Sequence, residues 1–372
     1  MTGPLRVVAA LSGGVDSAVA AARAIDAGHE VVGVHLALAE DRTAGPAGGR
    51  GCCTLNDAND ARRAADVLGI GFYIWDLSAE FRREVVDDFV SEYAAGRTPN
   101  PCMRCNEAIK FSALLDRAVA LGFDAICTGH YARIVTAADG RLELHRARDQ
   151  DKDQSYVLAV LTQDQLGRAM FPLGDCVKAD VRAEAAARGL LVAAKPDSVD
   201  ICFIPDGDTT GWLRQRLGDS PGPIVDAQSG AVVGTHDGAY QYTIGQRKGL
   251  GIRTATPDGA PRYVVAVDTT TRTISVGPPS LLTVDSITAN GWRWLNEPIE
   301  VGQRCSVQIR AHGDPVAARV DQVSPGSITV VLSEQLRGVA TGQTLALYDG
   351  SQVLGSGTIF ATALTRSAEV SS

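Results

Sequence analysis

Two cysteines lie three residues apart in the stretch NPCMRCN, residues 100–106. Such a pair can ligate a metal, form a redox disulfide, or supply one reactive thiol beside a second that takes no part. A structural zinc site needs four ligands, usually as two paired clusters, and the chain contains no second CxxC. Residue types therefore disfavour a zinc knuckle and leave a redox pair and a single reactive thiol open.

A second stretch, SGGVDS at residues 12–17, is typical of a phosphate-binding loop. It follows an apolar run and precedes a helical pattern, so its small residues let backbone amides approach an anion at a helix N-terminus. The Walker pattern would need a lysine followed by serine or threonine at the end of the loop. Because this chain lacks that pair, the loop disfavours an enzyme that transfers a γ-phosphate.

Predicted strands and helices alternate from residue 5 to about residue 131, and these elements must position the residues of the two stretches. Apolar runs predict four strands, RVVAAL, VVGVHLAL, FYIWDL and AICTGHY, and amphipathic segments predict three helices, AVAAARAIDAG, NDANDARRAADVLG and FSALLDRAVALGF. Strands that are apolar throughout and alternate with helices indicate a parallel sheet covered on both faces. The Gly- and Pro-rich stretch at residues 43–51 is predicted to be a mobile surface loop.

After about residue 205 the pattern changes to short, partly alternating segments with turn residues between them, such as RYVVAVD, RTISVG and SITVVLS. These predict β-rich domains, with a small barrel at the C-terminus. We place the domains at residues 1–205, 206–281 and 282–372.

Composition limits the class of protein. A chain of 372 residues favours two or three domains. The apolar run at residues 7–11 is too short for a signal segment or a membrane span, so we expect a cytoplasmic protein with no membrane partner. In a reducing compartment, paired cysteines indicate catalysis, metal binding or a transient disulfide. The net charge of −8 argues against indiscriminate polyanion binding, although a local basic face can still bind nucleic acid.

The loop at residues 12–17 resembles the pyrophosphate loop of the ATP pyrophosphatases, which split ATP to AMP and pyrophosphate and adenylate an oxygen. The resemblance implies that small residues of the loop hold the departing pyrophosphate, with Asp16 near a magnesium ion. Further ATP contacts would come from Leu36 and Gly129. The residues implied to contact ATP are Ala10, Leu11, Ser12, Gly13, Gly14, Val15, Asp16, Ser17, Leu36 and Gly129.

Further motifs are GRTPNPCMRCNEAIKF, CTGHYAR, DKDQSYVL, DSVDICFI and IGQRKGLGI. In this order and spacing they resemble the bacterial tRNA-specific 2-thiouridylases, over essentially the whole chain. Members of that family replace O2 of the wobble uridine, position 34 of the tRNAs for Glu, Gln and Lys, with sulfur. The resemblance implies a doubly wound adenylating α/β domain, a β-rich central domain and a C-terminal β-barrel. It also implies ATP and magnesium as cofactors.

The resemblance assigns roles to two of the cysteines. Cys202, in ICFI, would carry a persulfide supplied by a cysteine desulfurase or a sulfur-carrier protein, and Cys105 would be the catalytic nucleophile. The two would then form a transient disulfide that a cellular reductant opens. Without the resemblance, a cysteine between Ile201 and Phe203 would be interpreted as a buried small hydrophobe. Cys127, Cys176 and Cys305 are interpreted as core or incidental thiols.

The resemblance also assigns contacts to tRNA. Those with the target base would be made by Asn100, Pro101 and Cys102, and those with the rest of the tRNA by Lys152, Asp153, Gln154, Arg310 and Ala311. His130 is left open between a catalytic and a structural role.

The chain departs from the family pattern at several positions. The family often has Asp where this chain has Cys102, and Thr-Gly where it has Val199 and Asp200. A carboxylate at 200 would disfavour the thiolate of Cys202, whereas a helix that starts just after Cys105, with Arg104 beside it, would favour the thiolate of Cys105.

Two alternatives stay open. A labile iron–sulfur cluster could form on Cys102, Cys105 and Cys202. The chain could also be another adenylating enzyme that acts on a small metabolite, although that activity would not explain the two thiols.

Overall fold

The structure, a computed structural model, describes residues 3–39, 55–197, 201–204, 206–252 and 260–365. The predictions for the loop at 43–51, for Cys52 and Cys53, and for Val199 and Asp200 fall outside the described residues. The chain forms two compact units. The N-terminal unit comprises Met1–Val86, Pro101–Gly207 and Ser351–Leu354, and the C-terminal unit comprises Asp87–Asn100, Asp208–Gly350 and Gly355–Ser372.

The described strands follow in chain order. They are β1 Arg6–Ala10, β2 Glu30–Ala37, β3 Phe72–Asp76, β4 Ala125–Cys127, β5 Ala132–Thr136, β6 Leu142–Arg146, β7 Ala169–Met170, β8 Gly222–Asp226, β9 Val232–His236, β10 Tyr263–Asp268, β11 Thr273–Gly277, β12 Thr283–Trp294, β13 Arg304–Gln308, β14 Val316–Ser324, β15 Ser327–Arg337, β16 Thr344–Asp349 and β17 Gln352–Ala363.

The described α-helices are α1 Val15–Asp26, α2 Leu55–Leu68, α3 Ser78–Phe81, α4 Asp87–Ala94, α5 Pro101–Cys105, α6 Leu114–Ala120, α7 Ser155–Leu158, α8 Gln163–Leu166, α9 Lys178–Ala187 and α10 Thr209–Leu217. Two π-helical segments occur, at Arg82–Val86 and Asn106–Ala113, and short 3₁₀ turns lie at Gln150–Lys152, Leu191–Ala194, Ala239–Gln241 and Pro279–Leu282.

The N-terminal unit is built on a five-stranded sheet of order β3-β2-β1-β4-β7. All of its pairings are parallel. The central strand β1 is apolar because both faces are covered, and Val7, Val8 and Ala9 are at most 1% exposed. The predicted parallel sheet is confirmed.

Helix α1 covers this sheet directly after the loop at residues 12–17. Its run of alanines lies in the core of the unit, since small side chains allow the helix axis to approach the sheet closely. The helix ends at Asp26, and Gly28 adopts a left-handed conformation with φ +85°, as expected beyond a helix C-terminus. The first strand, the loop and the first helix thus form the local arrangement that the sequence predicts.

Two predicted elements differ in extent. The helix predicted from residue 111 belongs to a longer helical segment that begins at Pro101, passes through the π-helix Asn106–Ala113 and ends as α6. Proline is tolerated at the first helical position because its missing N–H needs no partner there. The strand predicted over AICTGHY stops at Cys127, and the chain leaves the sheet at the residues that approach α1.

The C-terminal unit contains a four-stranded sheet and a closed barrel. The sheet has the order β10-β11-β8-β9, with β8 and β11 parallel and the other neighbours antiparallel. The barrel has six strands in the order β12-β15-β14-β13-β16-β17, and pairing of β12 with β17 closes it. Closure leaves no unpaired edge. The predicted β-rich central domain and C-terminal barrel are confirmed.

Candidate active site

The loop between β1 and α1 is held by its own serines. The Ser17 hydroxyl accepts a hydrogen bond from the Ser12 amide at 3.2 Å and donates one to the Gly14 carbonyl at 3.1 Å. Gly13 has φ +79°, and a Cβ there would lie 2.3 Å from the Asp57 carbonyl oxygen, so only glycine fits. The result is a fixed turn of small residues at the N-terminus of a twelve-residue helix, where an anion is favoured.

Gly129 lies against this loop. A Cβ at residue 129 would come within 2.6 Å of the Ser17 amide nitrogen and 2.7 Å of the Asp16 carbonyl carbon. The sequence predicts that this glycine lets the backbone pass close to the nucleotide; the structure shows a close approach to the loop itself. Leu36 is half-buried on β2, and its neighbour His35 bonds the Leu11 carbonyl through Nδ1 at 2.9 Å, which fixes the end of β1.

Asp16, which is predicted to lie near a magnesium ion, accepts hydrogen bonds from two side chains. The Tyr131 hydroxyl donates to Asp16 Oδ1 at 2.8 Å, and Lys178 Nζ lies 2.8 Å and 2.6 Å from the two carboxylate oxygens. Burial, reinforced by the negative charge of Asp16, raises the pKa of Tyr131, so its hydroxyl stays a donor at neutral pH. The Asp16 carboxylate is thus held by an ammonium and a phenol beside the loop.

A second carboxylate, Asp197, lies in the same group of charges. It receives Lys152 Nζ at 2.8 Å, Lys178 Nζ at 2.9 Å and an Arg182 guanidinium nitrogen at 2.6 Å. Burial alone would raise the pKa of Asp197, but the hydrogen bonds from Lys152 and Lys178 outweigh it and lower the pKa to about 2. We call Asp16, Lys152, Lys178, Arg182 and Asp197 the charged cluster.

A further lysine ties the loop to α2. Lys195 Nζ donates to the Gly13 carbonyl at 2.8 Å, to Asp57 at 2.8 Å and to Asp60 at 2.7 Å. No sequence motif predicts Lys195, or Lys178, Arg182 and Asp197 of the charged cluster. Each lies more than 160 residues from the loop in sequence, outside every motif. Nothing in the sequence around them indicated a site.

The two cysteines of NPCMRCN differ in environment. Cys102 is exposed in the first turn of α5, whereas Cys105 is buried at 8% exposure. The helical segment begins before Cys105 rather than after it, so Cys105 is the fifth residue of the segment and not at its N-terminus. Arg104 contacts two carboxylates, Glu84 at 2.9 Å and Glu107 at 3.0 Å, so the predicted influence of its cation on Cys105 is opposed by these carboxylates.

The third thiol, Cys202, is half-buried. The next residue, Phe203, meets the Phe81 ring edge-on at 5.8 Å between centroids, and Ile204 is buried at 1% exposure. Three residues beyond Phe81, Glu84 bonds Arg104, the neighbour of Cys105. The segments that carry Cys105 and Cys202 therefore pack against one short stretch of helix, while their pairing as a disulfide stays a prediction.

The other described cysteines have environments typical of unreactive thiols. Burial raises the pKa of Cys127 to about 12 and that of Cys305 to about 11. Burial also raises the pKa of Cys176, although the adjacent Arg23 opposes it. Because the thiolate is the reactive form, these three agree with the interpretation as core or incidental thiols.

His130 is buried and bonded through both ring nitrogens. Lys110 Nζ lies 3.3 Å from Nε2 and the Thr128 hydroxyl 2.8 Å from Nδ1. Burial, and then the positive charge of Lys110, holds its pKa well below the usual range, so the imidazole is neutral at pH 7. A lysine ammonium can only donate, so Nε2 accepts and the proton resides on Nδ1. This arrangement favours a structural role for His130 in the protein without substrate.

The predicted tRNA residues of the N-terminal unit form one turn beside Tyr131. The Asp153 side chain is 5% exposed and accepts from Arg146 at 3.0 Å and from the Ser155 hydroxyl at 2.7 Å. Gln154 Oε1 accepts from the Tyr131 amide at 3.0 Å. Asp153 and Gln154 thus support the backbone of this turn, and Lys152 extends from it into the charged cluster.

In the C-terminal unit, Arg310 lies at an open cavity of about 600 Å³. Its guanidinium donates to the Gly338 carbonyl at 3.1 Å. Arg337 and Gln343 also line the cavity, which therefore presents two cationic side chains and one amide.

Among the described residues, neither a cluster of metal-ligating side chains nor a helix able to cross a membrane occurs. Within residues 3–39, 55–197, 201–204, 206–252 and 260–365, no group of three Cys, His, Asp or Glu side chains could hold a metal ion. Nor does any helix in the described part of the chain combine the length and apolarity needed to cross a membrane.

The parallel sheet, with a loop of small residues at the N-terminus of α1, is of the HUP-domain class, a family of ATP-using domains. Residues 5–206 match the family model described as "tRNA methyl transferase HUP domain". Residues 210–278 match its PRC-barrel domain and residues 284–359 the "Aminomethyltransferase beta-barrel domain".

Full-length relatives identify the family within this class. The tRNA-specific 2-thiouridylase MnmA of Streptomyces coelicolor is 59% identical over 97% of this chain and 96% of its own length. The relative of the same name from Acidothermus cellulolyticus is 59% identical over 99% of this chain and 100% of its own length. The chain belongs to the tRNA-specific 2-thiouridylase family.

Solved structures give weaker likenesses. A 4-thiouridine synthetase–RNA complex with bound ATP is 17% identical, covers 57% of this chain and 50% of its own, and has a TM-score of 0.33. The U34-tRNA thiolase NcsA from Methanococcus maripaludis, with its [4Fe-4S] cluster, is 17% identical over 57% of this chain and 67% of its own, with a TM-score of 0.34.

Proposed function

We propose that this chain is a tRNA-uridine 2-sulfurtransferase that converts wobble uridine 34 of the tRNAs for Glu, Gln and Lys to 2-thiouridine, using ATP. One observation carries the proposal. A single compact unit contains both a phosphate loop at a helix N-terminus and two thiols, Cys105 and Cys202, whose segments pack on one stretch of helix. The matching family models carry the words tRNA methyl transferase in their names, but methyl transfer would not explain this pair of thiols.

The reaction follows from the weakness of uracil as an electrophile. The O2 atom attacks the α-phosphorus of ATP, the α–β bond breaks, and pyrophosphate leaves from the loop at residues 12–17. The terminal sulfur of a Cys202 persulfide then adds to C2, and AMP leaves with the oxygen. Cys105 thiolate attacks Cys202 Sγ, and the sulfur–sulfur bond breaks with its electron pair on the sulfur that remains on C2. A dithiol reductant then opens the Cys105–Cys202 disulfide.

Magnesium fits the loop by the chemistry of its donors. Asp16 offers hard carboxylate oxygens of the kind this ion prefers beside phosphates, and a cation, Lys178 Nζ, already lies 2.6 Å from one of them. When bound, the ion would neutralise charge on the departing pyrophosphate. The residue that this chain supplies for it is Asp16.

The partners beyond tRNA follow from the chemistry. Cys202 must be recharged after each turnover, so a cysteine desulfurase or a sulfur-carrier protein has to deliver the sulfur. We place the reaction in the cytoplasm, where tRNA and ATP are available. The proposed contacts with the target base are Asn100, Pro101 and Cys102, and those with the rest of the tRNA are Lys152, Asp153, Gln154, Arg310 and Ala311.

The proposal is tested with purified protein, ATP and unmodified transcripts. We expect pyrophosphate release only when a transcript of one of the three tRNAs is present, and 2-thiouridine at position 34 by nucleoside mass spectrometry when a persulfide donor is added. A transcript with cytidine at position 34 is the matched control. Equal pyrophosphate release without tRNA, or release stimulated by a small metabolite instead, would favour the other adenylating activity.

A separate prediction concerns tRNA binding by Arg310. Neutralising a backbone phosphate releases counterions, so log affinity falls linearly with log salt by about 0.9 per contact on duplex nucleic acid. Arg310→Ala should therefore weaken tRNA binding at low salt and reduce this slope by roughly one unit. Binding is measured by filter retention between low and physiological salt.

The control for this prediction is Arg319→Ala, which removes an exposed arginine of the same barrel that is paired with Asp321. It should leave both the affinity and the slope near wild type. Unchanged binding by Arg310→Ala would show that the cavity beside Arg310 takes no part in holding tRNA.

A further inference from the structure

The charged cluster places one lysine between two carboxylates. Lys178 Nζ is 2.6 Å from Asp16 and 2.9 Å from Asp197. The two nearest carboxylate oxygens therefore lie at most about 5.5 Å apart. The Asp16 and Asp197 side chains are 31% and 34% exposed, whereas that of Lys178 is only 12% exposed. Two accessible acids thus share one nearly buried cation directly beside the phosphate loop.

This spacing suits a divalent ion. Magnesium binds oxygen at about 2.0–2.1 Å and is usually held by one or two carboxylates together with substrate phosphates. Oxygens that share an ammonium at the distances seen here need only a small side-chain movement to share a magnesium ion instead. Asp16 alone would supply a single carboxylate, and Asp197 is the second acid within reach of the same point.

The positively charged side chains of the charged cluster are suited to bind pyrophosphate, the product that leaves from the loop. Lys178 and Arg182 both contact Asp197, and Lys178 also contacts Asp16 at the first turn of α1. A metal ion between the carboxylates would repel the ammonium, and the closest remaining anion would be the pyrophosphate held by the loop. The α1 N-terminus contributes only about half a positive charge, so leaving pyrophosphate needs further cations.

We propose that Asp197 joins Asp16 as a magnesium ligand of the nucleotide site, and that Lys178, with Arg182, holds the pyrophosphate once the metal has taken its place between the two acids. This inference rests on the proposed function, since it assigns residues to the same ATP site. It gives the segment at residues 178–197 a direct part in ATP cleavage. A purely structural network would instead serve only to attach that segment to the loop.

The test uses the full-length protein and α,β-methylene ATP, a probe that cannot be cleaved at the bond concerned. Calorimetry measures its affinity with magnesium and with EDTA. In Asp197→Asn the gain in affinity from magnesium should fall by about tenfold or more, while the affinity in EDTA stays equal or rises, because a like charge has been removed. Manganese, followed by electron paramagnetic resonance, should show correspondingly weaker binding in the ternary complex.

A second variant tests the part of the proposal that assigns pyrophosphate binding to Lys178. In Lys178→Met the affinity for inorganic pyrophosphate should fall by about tenfold or more. The control is Asp180→Asn, which changes an exposed acid in the first turn of the same helix and should bind both probes as wild type does. Thermal melts of all variants show whether the fold is retained, and the Lys178→Met measurement decides the matter if Asp197→Asn does not fold.

The outcomes separate this inference from the proposed function. Undiminished magnesium dependence in a folded Asp197→Asn, or undiminished pyrophosphate affinity in Lys178→Met, would overturn the inference and leave the ATP site standing. If the wild-type protein bound no nucleotide at all, both the proposed function and the inference would be overturned.

Discussion

Cys202→Ala and Cys105→Ala are each expected to lower 2-thiouridine formation by about three orders of magnitude or more, because removing any one of the residues that act as a unit in covalent chemistry abolishes nearly all activity. In the proposed reaction Cys202 has no substitute as sulfur carrier, and Cys105 has none as the thiolate that releases the sulfur. The readout is mass spectrometry of the nucleoside at position 34 after a single turnover. Mass analysis of the intact protein adds a second readout, since Cys105→Ala should still accept a persulfide and Cys202→Ala should not.

Cys102→Asp is the informative comparison within the same stretch. We expect it to keep substantial activity, because Cys102 is exposed in the first turn of α5 and its proposed role is limited to contact with the target base. Cys305→Ala, a change in the barrel, controls for the loss of a thiol as such. An inactive Cys102→Asp, together with a brown protein from anaerobic preparation, would contradict the disulfide pathway and favour an iron–sulfur cluster on the three cysteines.

Asp16→Asn is expected to lower tRNA-dependent pyrophosphate release by about three orders of magnitude. The substitution keeps the shape of the side chain and removes the one carboxylate of the loop, which we propose to bind magnesium. The fold should survive, since the loop is held by the Ser12 and Ser17 hydrogen bonds rather than by Asp16. Release is followed with a coupled pyrophosphate assay, and the fold by circular dichroism.

The matched control is Asp26→Asn at the other end of α1. Asp26 is exposed and paired with Arg188, and an exposed ion pair stabilises a protein by less than about 1 kcal/mol. This variant should release pyrophosphate at the wild-type rate. If Asp16→Asn did the same, the loop at residues 12–17 would not be the site of ATP cleavage.

The parts of this fold that the sequence predicts well are local ones. The strand β1, the loop and α1 follow one another within about 20 residues, and apolar burial together with glycine conformation fixes each of them. The charged cluster is different, because Asp16 meets Lys178 only through tertiary packing of α9 against α1, and Lys178 in turn contacts Asp197. A lysine and an aspartate in a polar segment carry no sign of their partners in sequence.

The helical segment that carries Cys105 shows a second limit on what can be predicted from the sequence. Its start at Pro101 could have been predicted from the preference for proline at the first helical position. Its π-helical passage at Asn106–Ala113 could not, since such turns arise from packing rather than from composition. The burial of Cys105 beside exposed Cys102, in the α-helical turn just before this segment, was visible only in the structure.

The N-terminal unit is not one continuous piece of chain, and this affects how the protein can be divided. Four residues from the far end of the sequence, Ser351–Leu354, belong to it. There the Ser351 hydroxyl bonds His145 at 2.9 Å and its carbonyl accepts from the Arg146 amide at 2.8 Å. A fragment that ends after the first domain would lack these contacts on β6. Exchange of the barrel between relatives, whether by recombination or by design, must therefore carry along a short piece of the catalytic unit.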